Sequence, residues 1–142
     1  MAALTADRPQ KRRGDGIVVS YPVAASTKIY KGSLVCINTS GYAVPAADTS
    51  GFKIGGVAED YADNSSGSAA DISVACRLLA EFDFVLGSGL AQADVGANVF
   101  VQDDQTVNDA AAQTNDVKVG TLTGVSGSVA TVLVGRLSAT DS

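Results

Sequence analysis

Short β-prone runs, each stopped by a cluster of turn residues, constrain this chain most. Ile17-Val18-Val19-Ser20-Tyr21 stops at Pro22, which has no N–H for a strand ladder. Leu34–Asn38 and Tyr42–Val44 flank Thr39-Ser40-Gly41, the pattern of a hairpin. Further strand candidates are Lys53–Glu59, Asp71–Leu79, Phe82–Leu86, Val99–Gln102, Val117–Thr123 and Ala130–Leu137. Short strands at this regular spacing predict a β-sandwich or barrel, with helix a minor presence at most, a turn near Ala110–Gln113. A chain of 142 residues suits a single domain with a core that needs no metal or disulfide staple.

The parts recur in one order. Lys31-Gly32-Ser33-Leu34-Val35-Cys36-Ile37 parallels Val95-Gly96-Ala97-Asn98-Val99-Phe100-Val101, and each is followed by a polar turn and a short strand, Tyr42–Val44 or Thr106–Asn108. Lys53-Ile54-Gly55-Gly56-Val57 then parallels Lys118-Val119-Gly120-Thr121-Leu122. Ser66-Gly67-Ser68 with its following strand parallels Ser126-Gly127-Ser128 with its own. This predicts one β-unit used twice, over about 29–79 and 93–137, each covering an apolar face that the other cannot bury alone.

Residue chemistry narrows the function. The chain has no histidine, which removes the commonest general base and metal ligand, and with them Ser-His-Asp and Cys-His arrangements. Gly87-Ser88-Gly89-Leu90 lacks the Gly-Lys-Ser/Thr ending of a phosphate loop and reads as a turn. Asp103-Asp104 falls in a hairpin turn, where aspartate caps its own backbone, and Asp63-Asn64-Ser65-Ser66-Gly67 lacks the acidic spacing of a calcium loop. Cys36 and Cys76 sit in strand-like runs and are expected to be buried free thiols. No enzyme activity, catalytic residue, metal site or cofactor is therefore expected. Nor does any apolar run approach the roughly 20 residues of a membrane-spanning helix, and the start lacks the apolar segment of a signal peptide.

Charge is unevenly placed. The net charge is −5, yet residues 1–15 hold Arg8, Lys11, Arg12 and Arg13 against Asp7 and Asp15, a balance of +2 that leaves −7 on the remainder. Residues 1–16 lack hydrophobic periodicity and read as a flexible basic arm ahead of a single β domain, 17–142. An acidic body whose arm has no aromatic residue for base stacking is a poor binder of nucleic acid.

This vocabulary resembles that of the capsid cement, or head decoration, proteins of tailed bacteriophages, including the lambda-type decoration proteins. The residues that carry the resemblance are Ile29-Tyr30-Lys31-Gly32-Ser33-Leu34-Val35, Gly55-Gly56-Val57-Ala58-Glu59 and Gly96-Ala97-Asn98-Val99-Phe100-Val101, with Val119-Gly120-Thr121-Leu122 and Val132-Leu133-Val134-Gly135-Arg136-Leu137. The match spans about residues 17–137 and contains no catalytic signature. It implies an all-β fold, a small β-barrel or β-tulip-like domain that binds the outer surface of a phage head and braces it against internal DNA pressure. The implied partners are the major capsid protein and further copies of this chain, a homotrimer first and a dimer second. The protein would be made in the host cytoplasm and end in the virion, on the outer capsid surface.

A physical route to such docking exists in the first residues. An arm followed by Ile17–Tyr21 can order on binding and add a strand to an exposed sheet edge, with Ile17, Val18, Val19 and Tyr21 in contact. Arg8, Lys11, Arg12 and Arg13 can pair with shell carboxylates. The competing expectation is a carbohydrate-binding or adhesive β-module of a phage tail, fibre or cell surface. Against it, Trp is missing and Tyr30, Tyr42 and Tyr61 are scattered along the chain.

Overall fold

A computed structural model of the chain describes residues 3–9, 12–13 and 16–135. It contains thirteen strands: β1 (Arg12–Arg13), β2 (Ile17–Pro22), β3 (Thr27–Ile29), β4 (Leu34–Ile37), β5 (Ala43–Pro45), β6 (Lys53–Ala58), β7 (Ala62–Asn64), β8 (Ser73–Leu78), β9 (Ala80–Leu86), β10 (Asn98–Val101), β11 (Thr106–Asn108), β12 (Lys118–Ser126) and β13 (Val129–Val134). The only helical pieces among the described residues are two 3₁₀ turns, Gln92–Asp94 and Ala110–Ala112. The all-β barrel expected from the spacing of turns is what forms.

Strands β9, β11, β10, β12 and β13 pair in that order, and β13 returns to β9 to close a five-stranded barrel. Every pair in the ring is antiparallel except β9–β11. Strands β2, β8, β6, β4 and β5 form a second sheet with the same connectivity, in which β2 stands for β9 and β8 for β13. In this first unit the parallel closure is reduced to a bridge between Val23 and Ala43, reinforced where Ala24 N–H donates to Ala43 O at 3.1 Å. The chain is thus two similar β-units, as its recurring parts suggest.

Strand pairing refines that repeat. Gly32 N–H donates to Ala58 O at 2.9 Å, and Gly96 N–H donates to Leu122 O at 2.7 Å. Each following residue returns the favour: Ala58 N–H donates to Ser33 O and Leu122 N–H to Ala97 O, both at 2.9 Å. Ala58 is therefore the counterpart of Leu122, and Gly56 that of Gly120, so the Lys53/Lys118 match slips by one residue. Both units carry a register shift at the same place, between Val35 and Cys36 and between Val99 and Phe100. The two Ser-Gly-Ser runs are not counterparts. Gly127 forms the tight turn between β12 and β13, whereas Gly67 N–H closes a loop onto Asn64 O at 3.1 Å. Each unit also begins one strand earlier than the sequence match, at Ile17 and at Ala80.

Glycine is required where Gly56 and Gly120 sit. A Cβ on Gly120 would stand 2.0 Å from Leu133 O, and one on Gly56, whose φ is +126°, would stand 2.6 Å from Arg77 O. The strands pack backbone to backbone there, which leaves no room for a side chain.

One residue joins the units. Leu79 separates β8 from β9 with φ +60°, and its N–H donates to Val134 O at 2.7 Å. The cores are arranged to match. One cluster fills the closed barrel with Phe82, Phe84, Val99, Val101, Val119, Leu122 and Val132, and it extends without a break to Leu34, Cys36, Ile54 and Val57 of the first unit. A smaller cluster of Val23, Ile29, Val35, Ala43, Val74 and Cys76 lies on the other face of the first sheet. Alternation along β4 makes this possible: Leu34 and Cys36 belong to one cluster, Val35 to the other, and all three are fully buried.

Strands β3 and β7 form a two-stranded ribbon present only in the first unit. Asn64, at its end, is buried, and its amide donates to Ala24 O at 3.0 Å and Ser68 O at 2.9 Å, clipping the long β7–β8 connection to the end of β2.

Gly120→Ala is expected to lower stability by about 3 kcal/mol, because a β-carbon must displace a paired backbone. Gly127→Ala, at φ +60° with open space around the new carbon, is expected to cost only about 1 kcal/mol. Urea midpoints of the two variants check the order; equal losses would contradict the close approach at Gly120.

Candidate functional site

Of the residues expected to dock, Arg12, Arg13 and Ile17–Tyr21 fall on one line along the body. Arg12 pairs with Phe82 and Arg13 with Glu81 in antiparallel register. Past Gly16, β2 pairs with β8 in the same sense, from Ile17 opposite Leu78 to Pro22 opposite Ser73. Because β8 and β9 differ by only Leu79, β1 and β2 follow one antiparallel path along them and cross from the second unit to the first. β1 lies beside the stretch of β9 that precedes its pairing with β11 at Val85 and Leu86.

Residues ahead of this path are also held at named points. Leu4 N–H donates to Asp104 Oδ1 at 2.8 Å. Arg8 N–H donates to Lys31 O at 2.8 Å, while Lys31 N–H donates to Asp7 Oδ1 at 2.9 Å. Arg8 Nη1 donates to Gln105 Oε1 at 2.8 Å. The structure therefore gives Arg8 an intramolecular partner on the β10–β11 turn. That turn caps itself as its sequence predicts, since Gln105 N–H donates to Asp103 Oδ1 at 3.0 Å. Lys11 lies outside the described residues, and β1 places Arg12 and Arg13 by backbone.

β2 is the outermost strand of its sheet; its far side meets β5 only past its end, through the Val23–Ala43 bridge, and among the described residues no strand pairs outside Ile17 and Val18. Its two halves differ in cover. Val19 and Tyr21 are half-buried, with Tyr21 packed on the smaller core cluster, whereas Ile17 and Val18 are 49% and 48% exposed. The row Leu34, Val57, Arg77, Val18 runs from the junction of the units to this open edge. Arg77 Nη2 meets Glu59 Oε1 at 2.9 Å beside Val18, so the edge offers an apolar strand backed by a satisfied ion pair.

A second exposed constellation was not legible in the sequence. Tyr30 follows β3 and Tyr61 precedes β7, and ribbon pairing brings their rings to 5.6 Å between centroids with a 31° tilt. Neither strand was anticipated, because three-residue strands leave no periodicity to detect. Lys28 and Asp63 are opposite each other on the same ribbon. Tyr61 Oη donates to Asp63 Oδ2 at 3.3 Å, and Asp63 Oδ1 accepts from Ser65 N–H at 3.0 Å. The Ser65 hydroxyl and N–H, with Lys28 nearby, hold the Asp63 carboxyl below its ordinary range.

Cys36 and Cys76 are free and buried, and burial pushes both thiols up to about 12. A thiol so raised is a poor nucleophile at neutral pH. Among the described residues, no three His, Cys, Asp or Glu side chains gather to hold a metal ion, and no helix is long and apolar enough to cross a membrane. No protein-family model matches this chain, and no curated protein matches it.

Asp104 ties the leading segment to the barrel at a cost. Burial raises its pKa above the ordinary 3.8, the Leu4 N–H pulls it back, and Asp103 raises it further. The folded chain thus holds this proton more tightly than the unfolded chain, so the Asp104 contribution to stability falls as pH rises through that window. Asp104→Asn keeps an oxygen to accept from Leu4 and carries no charge. Its melting temperature is expected to exceed the parent's at pH 7 and to converge with it below pH 3.8. A constant difference across that range in thermal melts would contradict the assignment.

Proposed function

We propose that this protein is a structural capsid cement protein that binds the outer surface of a phage head and stabilises the shell, with no catalytic role. The open start of β2, where Ile17 and Val18 stand half-exposed with no strand paired outside them among the described residues, carries this reading. A long exposed apolar edge is normally blunted by charge, proline or a bulge. Here proline comes only at the far end, at Pro22. Such an edge is suited to accept a strand from another protein, with main-chain hydrogen bonds giving affinity and alternate side chains giving selectivity.

The partners in this proposal are the major capsid protein and further copies of this chain, a homotrimer ahead of a dimer. The basic leader supports it through charge: Lys11, Arg12 and Arg13 lie next to the edge in sequence and suit shell carboxylates. The body supports it through stiffness, since a closed barrel sharing its core with a second sheet presents the edge on a rigid frame. Each contact is weak, but repetition around a symmetry axis of the shell makes later contacts intramolecular and raises occupancy.

Mixing the purified protein with expanded, undecorated heads and pelleting them tests the proposal. Saturable co-sedimentation is expected, and Val18→Lys is expected to leave the far-ultraviolet circular dichroism unchanged while lowering occupancy at least tenfold. Undiminished occupancy by Val18→Lys would remove the β2 edge from the interface, and failure of the parent protein to pellet would remove the function.

A further inference from the structure

We infer that the outer face of the β3–β7 ribbon is a binding site for a neutral saccharide, with Tyr61 and Tyr30 as the stacking platform and Lys28 and Asp63 as its polar flanks. The inference does not depend on head attachment, because the ribbon is distinct from the β2 edge and lies in a different sheet.

Ribbon geometry selects these four side chains. Alternation turns Ile29, Ala62 and Asn64 inward, where all three are buried. Lys28 and Asp63 are exposed at paired positions, and the two tyrosines extend the same ribbon by one residue on each side. Tyr61 is 44% exposed, high for a large aromatic side chain. Its ring is not loose: the hydroxyl donates to Asp63 Oδ2 and the ring lies against Tyr30. A tyrosine fixed in this way offers a rigid, amphipathic contact surface at low entropic cost on binding.

Charge then chooses the ligand. A cationic guest over the rings, the usual use of an aromatic cage, would meet the Lys28 ammonium. An anionic guest would meet the Asp63 carboxylate. An apolar protein surface would strip water from both charges without satisfying them. A sugar ring has an apolar face to lie on Tyr61 and hydroxyls on its rim that both donate and accept. Those hydroxyls can donate to Asp63 and accept from Lys28. Asp63 retains capacity for this, since Oδ2 accepts only the Tyr61 hydroxyl among the described hydrogen bonds.

The test is a titration of the full chain with maltotriose, cellotriose and lactose, and with choline chloride and sodium sulfate as charged probes, read by NMR at the tyrosine ring protons. The chain has four tyrosines and no Trp, so the ring signals are few. At least one neutral oligosaccharide is expected to shift the Tyr61 and Tyr30 signals saturably in the millimolar range, with choline and sulfate without effect. Tyr61→Ala is expected to weaken binding at least tenfold and Tyr61→Phe less than threefold, with both variants still pelleting with phage heads. Shifts with choline alone, shifts with sulfate alone, no shift with any of the three sugars, or full binding by Tyr61→Ala would each overturn the site. Loss of head binding by the parent would bear on the cement role and leave this result standing.

Discussion

The structure depends on burying both faces of β4 and β6. Leu34 and Cys36 face the closed barrel and Val35 faces the smaller cluster, while β6 does the same with Ile54 and Val57 on one side and Ala58 on the other. Neither unit completes a core alone. The barrel needs the first sheet as a lid over one flank, and the first sheet, whose ring closes by a single bridge, needs the barrel to cover its outer rows. Shared burial of this kind makes the two units one cooperative body.

That dependence explains the joint and the path of the leading strands. With only Leu79 between β8 and β9, the units cannot separate without breaking the Val134 hydrogen bond and exposing the common apolar surface. β1 and β2 run along both sides of this joint, and residues 4 and 8 reach the β10–β11 turn. The segment that leads to the open edge is therefore anchored on both units, so the edge has a fixed direction relative to the whole body.

Much of the architecture was legible in the sequence, for a physical reason. Turn residues and β-branched runs are local signals, and the expected strands from Leu34 onward all begin within two residues of their predicted starts, whereas β7 has no expected counterpart and β12 runs three residues past Thr123. The recurring order of parts correctly implied two similar units. Exact equivalence was not legible, because Lys53 and Lys118 look alike while backbone pairing aligns Gly56 with Gly120. What sets that alignment is the clearance between neighbouring backbones, and no single residue type announces it. For the candidate sites, the sequence singled out Ile17–Tyr21 as a strand able to dock, and the exposure of Ile17 and Val18 gives that expectation a surface. The Tyr30–Tyr61 pair was hidden because residues 31 positions apart meet only through two three-residue strands.

The order of the strands along the chain has a kinetic consequence. β2 is made before its partner β8, which follows about 50 residues later, and β9 must wait a similar span for β13. At ribosomal rates of ~5–20 residues per second, β2 is without its mate for seconds. Long-range pairings of this kind also place the whole chain among slow folders. A nascent Ile-Val-Val segment left unpaired for that time is a point where newly made copies can clump, so yield in a recombinant host should depend on growth temperature and crowding more than on the thermodynamic strength of the finished fold.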